Sequence, residues 1–349
     1  MSAGGLRSGT IAGVLPSAPR ENDSWDDDVS REIARSAPGR SSSGFYAGAP
    51  EPASRIGERD PEDEEEEIEE EIPVVPVRRQ LSLAIAGFAG LLGAGLILGA
   101  QTSGPDSRLP YAIVIFGVQL LYILAFTMAI RPPAYGTVAG VCVAAAAVAD
   151  YTVVNRGNAG IFPLLIIAAV GYGLAIVGQL VRAEDRLQFR DALSGTLLIV
   201  VGVVSFALLI VLTRKPAGTQ AVLMTLTAVA ITVLAAHLID AFWAKPRIAP
   251  QVPRGATGII VGAMLGTLAA AGLGSVLVLP FTPAKGALLG FLVAGVAGLV
   301  DLAVNYSEVG RRMAGEAPTF WVARHMQGPL GAFALALPGA YAVTAFFLT

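Results

Sequence analysis

Residues 81–349 are a succession of apolar runs, each close to the roughly 20 residues a helix needs to cross the hydrocarbon core of a bilayer. Lipid offers no partners for backbone N–H and C=O groups, so a spanning chain must form helices or a closed barrel. Barrel strands alternate apolar and polar side chains, and these runs do not. The sequence therefore predicts an all-α polytopic membrane protein. Nine transmembrane helices are expected, near 81–100, 110–130, 134–154, 159–181, 193–213, 219–243, 256–279, 286–306 and 328–348.

Charge is divided along the chain. Residues 1–77 hold 18 Asp/Glu against 7 Lys/Arg, whereas residues 78–349 hold 17 Lys/Arg against 9 acids. The first segment is rich in Pro, Gly, Ser and acid, and eleven acids fall between Glu58 and Glu71. Such a run repels itself and buries too little apolar area to offset chain entropy, so a disordered acidic cytoplasmic tail is expected over 1–77, followed by a helical membrane domain over 78–349. Trp25 beside three aspartates, and the pair Phe45–Tyr46, are aromatic spots through which the tail could engage a protein partner. A strongly acidic soluble segment argues against nucleic acid as a partner.

Topology follows from the basic residues. Arg78, Arg79, Arg131, Arg182, Arg186, Arg190, Lys245, Arg247, Arg254, Arg311, Arg312 and Arg324 fall on one side of the nine spans, and Arg108, Arg156, Arg214, Lys215 and Lys285 on the other. Twelve against five predicts a cytoplasmic N-terminus and an outside C-terminus, in a cytoplasmic (inner) membrane. Gly258, Gly262 and Gly266 recur every four residues, as do Gly286 and Gly290, a spacing that lets backbones approach within the bundle or across a homodimer. Pro163 and Pro338 lie inside spans and are expected to kink them. Cys142, the single cysteine, sits in an apolar run and reads as a packing residue.

Ionisable groups at membrane depth are costly, so each is a candidate site residue. Asp150 closes the third span and is expected at headgroup level. His237 and Asp240 sit near the cytoplasmic end of the sixth. Asp301 lies deeper in the eighth, with Asn305 and Glu308 continuing one polar stripe, and no second intramembrane charge is evident to pair with it. Arg254, Arg311 and Arg312 flank these acids, and with Asp301, Asn305 and Asp240 they form the candidate polar or anion-binding site. The plainer reading of the arginines is topological, because a cytoplasmic rim is basic anyway. Two histidines and one cysteine, far apart in sequence, give no metal-ligand spacing.

Over about 190–349 the chain resembles the phosphatidate cytidylyltransferases, or CDP-diacylglycerol synthases, in their actinobacterial form. The loop Lys245-Pro-Arg-Ile-Ala-Pro-Gln-Val-Pro-Arg254 is similar to the family's Lys-x-Pro-x-x-Pro-x-Ile-Ser-Pro-Lys-Lys loop, and the span from Gly286 to Asp301-Leu302 is similar to one ending in Gly-Asp-Leu. Asp240 matches an aspartate closing an earlier family span only across a gap. The resemblance implies a helical membrane scaffold, a CTP-using site on the cytoplasmic side and carboxylates holding metal ions. The signature itself departs. Its Glu-Ser becomes Val304-Asn305, its Lys-Arg becomes Glu308-Val309, its Lys-Asp becomes Ala314-Gly315, and its Asp-Arg-x-Asp falls on Gly328, Pro329, Leu330 and Gly331. The family histidine's place holds Ala323, so no role passes to His325.

Phosphoryl transfer to a lipid phosphate needs magnesium in a shell of oxygens, and a Gly-Pro-Leu-Gly segment has no side-chain oxygen to give. Each lost carboxylate or cation removes a term worth about a few kcal/mol of barrier. The sequence therefore predicts a catalytically inactive family member with a structural or regulatory role, no confident catalytic residue, and no cofactor; magnesium belongs only to an active site. Membrane lipids are its expected partners. The alternatives are an active phospholipid-biosynthesis enzyme using CTP or another lipid-headgroup substrate, and, with no inverted repeat visible, a transporter.

Overall fold

The computed structural model describes residues 75–102, 108–156, 160–182, 186–277, 279–317 and 319–348, with side chains described outside 182–191 and 348. The acidic block and its aromatic spots lie outside the described residues. Among the described residues there is no β-strand, only an isolated antiparallel bridge between Arg247 and Gly255. The described residues form nine α-helices in succession: α1 Arg79–Thr102, α2 Leu109–Ile130, α3 Tyr135–Asn155, α4 Ile161–Arg182, α5 Arg186–Thr213, α6 Gly218–Phe242, α7 Ala256–Val276, α8 Pro283–Met313 and α9 Trp321–Val343, which ends in a π-helical turn at Thr344–Leu348. Each is long and apolar enough to cross a membrane, so the protein is a multi-pass membrane protein.

Where the helices face tells the same story. On α4, Phe162, Leu165, Ile166, Val170, Leu174, Val177 and Val181 stand exposed at helical spacing, a stripe that water would penalise and acyl chains would not. By contrast α5 and α6 are mostly buried and form the centre of the bundle. α6 packs against α1, α7, α8 and α9, and α2, α3, α4 and α5 pack among themselves. Tyr122 of α2 stacks on Phe126, with ring centroids 4.2 Å apart, and donates to the Leu198 carbonyl of α5 at 3.0 Å.

The glycine stripes work inside the bundle. A Cβ on Gly262 would stand 2.6 Å from the Thr232 carbonyl oxygen, and one on Gly258 would stand 2.8 Å from that of Ala236, so α7 lies backbone to backbone on α6. Gly290 meets α7 in the same way, 3.1 Å from Thr267. One expectation needs correcting, and one boundary moves. Pro163 is the third residue of α4 and lies in its first turn, where no intrahelical donor is lost, so it kinks nothing. Pro338 is interior to α9, and so is Pro329, because α9 begins seven residues earlier than the apolar run suggests.

The eighth span is longer than expected as well. Its 31 residues give roughly 46 Å of helix, against about 30 Å of hydrocarbon. One end must project beyond the core. Asp301 lies eighteen residues after Pro283, roughly 27 Å along, which brings it close to the boundary of the core when the helix starts at the opposite face.

Candidate functional site

Four ionisable side chains meet at one end of the bundle. Trp243–Gly255 folds back on itself: Arg247 bridges to Gly255, the Ala256 N–H donates to the Pro246 carbonyl at 2.9 Å, and the Thr257 hydroxyl donates to the Lys245 carbonyl at 2.6 Å. That loop delivers Arg254 into the bundle at the start of α7. Its guanidinium is 2% exposed. Arg254 Nη1 is 2.6 Å from Asp301 Oδ2, and Nε is 2.8 Å from Asp240 Oδ2. The second contact is an ion pair without a hydrogen bond, since neither atom makes one.

The remaining oxygens are also engaged. Asp240 Oδ1 accepts from the Gly255 N–H at 3.0 Å, and His237 Nε2 lies 3.0 and 3.1 Å from the two oxygens of Asp301. A carboxylate only accepts, so this nitrogen carries a hydrogen. Nη1 of Arg254 is also 2.5 Å from His237 Nε2 and 3.0 Å from Nδ1, so guanidinium and imidazole converge on the same Asp301 carboxylate. Two glycines make the room. A Cβ on Gly258 would stand 2.5 Å from Asp240 Oδ1, and one on Gly328 would collide with Asp301 Oδ1.

This geometry answers the question of a metal. The resemblance implies carboxylate-held magnesium, but a guanidinium lies between Asp240 and Asp301 and the oxygens face it, His237 and a backbone amide. The residues present do not fit a magnesium ion, which wants a near-octahedral shell of oxygens. The arginine's fixed positive charge offsets carboxylates that would otherwise be costly to bury.

A second cluster lies beyond it on α8. Glu308 pairs with Arg311 at 2.6 Å, Arg312 at 3.3 Å and Arg324 of α9 at 3.5 Å, and it accepts from the Thr319 hydroxyl at 2.5 Å. Arg311 also donates to the Ala129 carbonyl in the last turn of α2 at 2.5 Å, capping an otherwise open helix end.

Two adjoining cavities, of about 50 and 60 Å³, open between these clusters. Leu81, Ile85, Pro253, Asn305, Arg312 and Arg324 line both, Arg78, His237 and Arg254 line the first, and Asp301 and Glu308 line the second. Nη2 of Arg254 makes no hydrogen bond to the described protein.

Of the six residues expected at the site, Asp301 and Asp240 both touch Arg254. Arg311 and Arg312 do not join them and serve Glu308 instead. Asn305 turns its amide back to the Asp301 carbonyl at 2.7 Å, so the expected polar stripe is broken there, although its side chain lines both cavities. The expectation that Asp301 lacks an intramembrane partner is overturned by Arg254 and His237. Asp150 is corrected too. It is 6% exposed, turned inward, and accepts from Gln119 Nε2 at 3.2 Å, not set among headgroups. His237 was visible as an ionisable residue one helical turn before Asp240, but Arg324 and Gln119 gave no signal beyond being polar.

No known protein family matches the chain, and neither a curated protein nor a solved structure is similar to it.

Proposed function

We propose that the protein is a catalytically inactive relative of the phosphatidate cytidylyltransferases, with a structural or regulatory role in the membrane, in which the basic cavity at one end of the bundle holds the phosphate of an anionic lipid. The observation that carries this reading is Arg254 between Asp240 and Asp301. A fixed organic cation takes the position where paired carboxylates would otherwise gather a divalent metal, and it cannot polarise a triphosphate as magnesium does.

Size and charge support the ligand class. Cavities of about 50 and 60 Å³ hold a few water molecules, room enough for a phosphate group. Arg78, Arg254 and Arg312 line the first, over an apolar floor of Leu81 and Ile85 against which an acyl chain could lie. Guanidinium groups suit phosphate because they donate in pairs. The basic excess at this end favours a cytoplasmic face in an inner membrane and a cytoplasmic N-terminus, the side on which a protein partner would meet the acidic tail.

The test is purified protein in nanodiscs. CTP and phosphatidic acid should give no CDP-diacylglycerol above a protein-free control, while phosphatidic acid should be retained over phosphatidylcholine, and less so in Arg312→Gln. Turnover, or indifference to the lipid phosphate, would overturn the proposal.

A further inference from the structure

Asp150 belongs to neither cluster. It sits on α3 in the α2–α5 half of the bundle, where its side chain meets Gln119 of α2. Gln119 is fully buried, and its Nε2 donates one hydrogen to Asp150 Oδ1 at 3.2 Å and the other to the Val203 carbonyl of α5 at 3.0 Å. Both amide hydrogens are used. What remains is a pair of acceptors without donors, Asp150 Oδ2 and Gln119 Oε1, both buried and both without a hydrogen bond.

Among the described side chains of α2, α3, α4 and α5, none neutralises a carboxylate at this position. From Ala192 to Thr213, α5 has no ionisable side chain, α2 has Tyr111 and Tyr122, α3 has Tyr135, Cys142 and Tyr151 besides Asp150, and α4 has Tyr172 and, at its end, Arg182. Tyr122 and Tyr172 donate to the carbonyls of Leu198 and Leu193. Arg214, the cation that reaches the end of α3, donates to the carbonyls of Val154 and Arg156. An ionised carboxylate here would be a charge buried without a partner, the most costly arrangement a bilayer protein can adopt.

We infer that Asp150 and Gln119 form a neutral carboxylic acid–amide pair, a proton-binding site inside the membrane domain. One proton on Oδ2 resolves both orphans together. The acid O–H becomes the donor that Gln119 Oε1 lacks, while Oδ1 goes on accepting from Nε2, closing the ring of two hydrogen bonds that acids and primary amides form with one another. The ligand of this site is a proton, and the competing occupant is a small monovalent cation held by the same two oxygens. The site is independent of the proposed lipid-phosphate cavity, and its variants leave that cavity's residues untouched.

The experiment is an infrared difference spectrum between the full-length protein and Asp150→Asn in nanodiscs at neutral pH, with and without sodium. The wild type should show the carbonyl stretch of a protonated carboxylic acid that Asp150→Asn lacks, unchanged by sodium. Loss of a carboxylate stretch in the variant, or a protonated band that appears only when sodium is withdrawn, would overturn the inference. Thermal unfolding supplies the second reading. Asp150→Asn keeps a donor for Gln119 Oε1 and an acceptor for Nε2, with one extra buried N–H, and should unfold closer to the wild type than Asp150→Leu, which leaves Gln119 Oε1 and one of its amide hydrogens unpaired and should unfold several degrees lower. An Asn variant as unstable as the Leu variant would mean that the native group is charged.

Discussion

Arg254 Nη1 stands 2.6 Å from Asp301 Oδ2, although one residue comes from a proline-rich loop and the other lies eighteen residues into α8. The contact ties the start of α7 to α8, and with Asp240 it ties both to the end of α6. A guanidinium shared by two buried carboxylates is a cross-brace at the place where three helices emerge from the bilayer.

Breaking one partner of that brace should cost more than removing the whole. Arg254→Met leaves two buried carboxylates without a cation and is expected to destabilise the protein by about 3–5 kcal/mol. The triple variant Arg254→Met, Asp240→Leu, Asp301→Leu, with apolar groups throughout, should recover most of that loss. Unfolding in detergent titrations measures both, and a triple variant as unstable as the single one would refute the prediction.

Glycines at the cluster are held there by space. Gly328→Ala would set a methyl against Asp301 Oδ1, and Gly258→Ala would set one against Asp240 Oδ1, each expected to destabilise by about 1–3 kcal/mol as an overpacked core does. Gly295→Ala, also on α8 but with open space around it, should be neutral or stabilising by up to about 1 kcal/mol. Thermal midpoints of the three variants give the comparison.

The Tyr122 hydroxyl joins α2 to α5 by its bond to the Leu198 carbonyl. Tyr122→Phe keeps the stack on Phe126 and should cost only the hydrogen bond, about 0.5–1.5 kcal/mol, as measured by the same unfolding titration.

Orientation can be read with reporter fusions. A reporter active only outside the cytoplasm should give signal when fused after Thr349 and none when inserted between Arg247 and Pro250, and the reverse pattern would invert the topology assigned from the basic residues.

The membrane helices were legible because span length and apolarity are local properties, and the Gly258, Gly262 and Gly266 stripe was legible because close packing needs a fixed spacing. The boundaries of α8 and α9 were less so. Arg311 and Arg312 look like a loop in a hydropathy reading, yet they continue α8 beyond Glu308, since a charged turn beyond the hydrocarbon costs a helix nothing. The pairing of Arg254 with Asp301 depends on a loop folding back across Arg247 and Gly255, a tertiary event with no periodic signature. Asp150 was placed among headgroups for a similar reason, because its partner Gln119 is 31 residues away on another helix.

The most direct test of the cluster is manganese binding to the nanodisc-embedded protein, followed by electron paramagnetic resonance, with manganese standing in for magnesium. With Arg254 between Asp240 and Asp301, wild type and Asp301→Asn should bind the ion equally weakly, with no stoichiometric site in either. One tightly bound manganese per chain in the wild type, lost in Asp301→Asn, would contradict it.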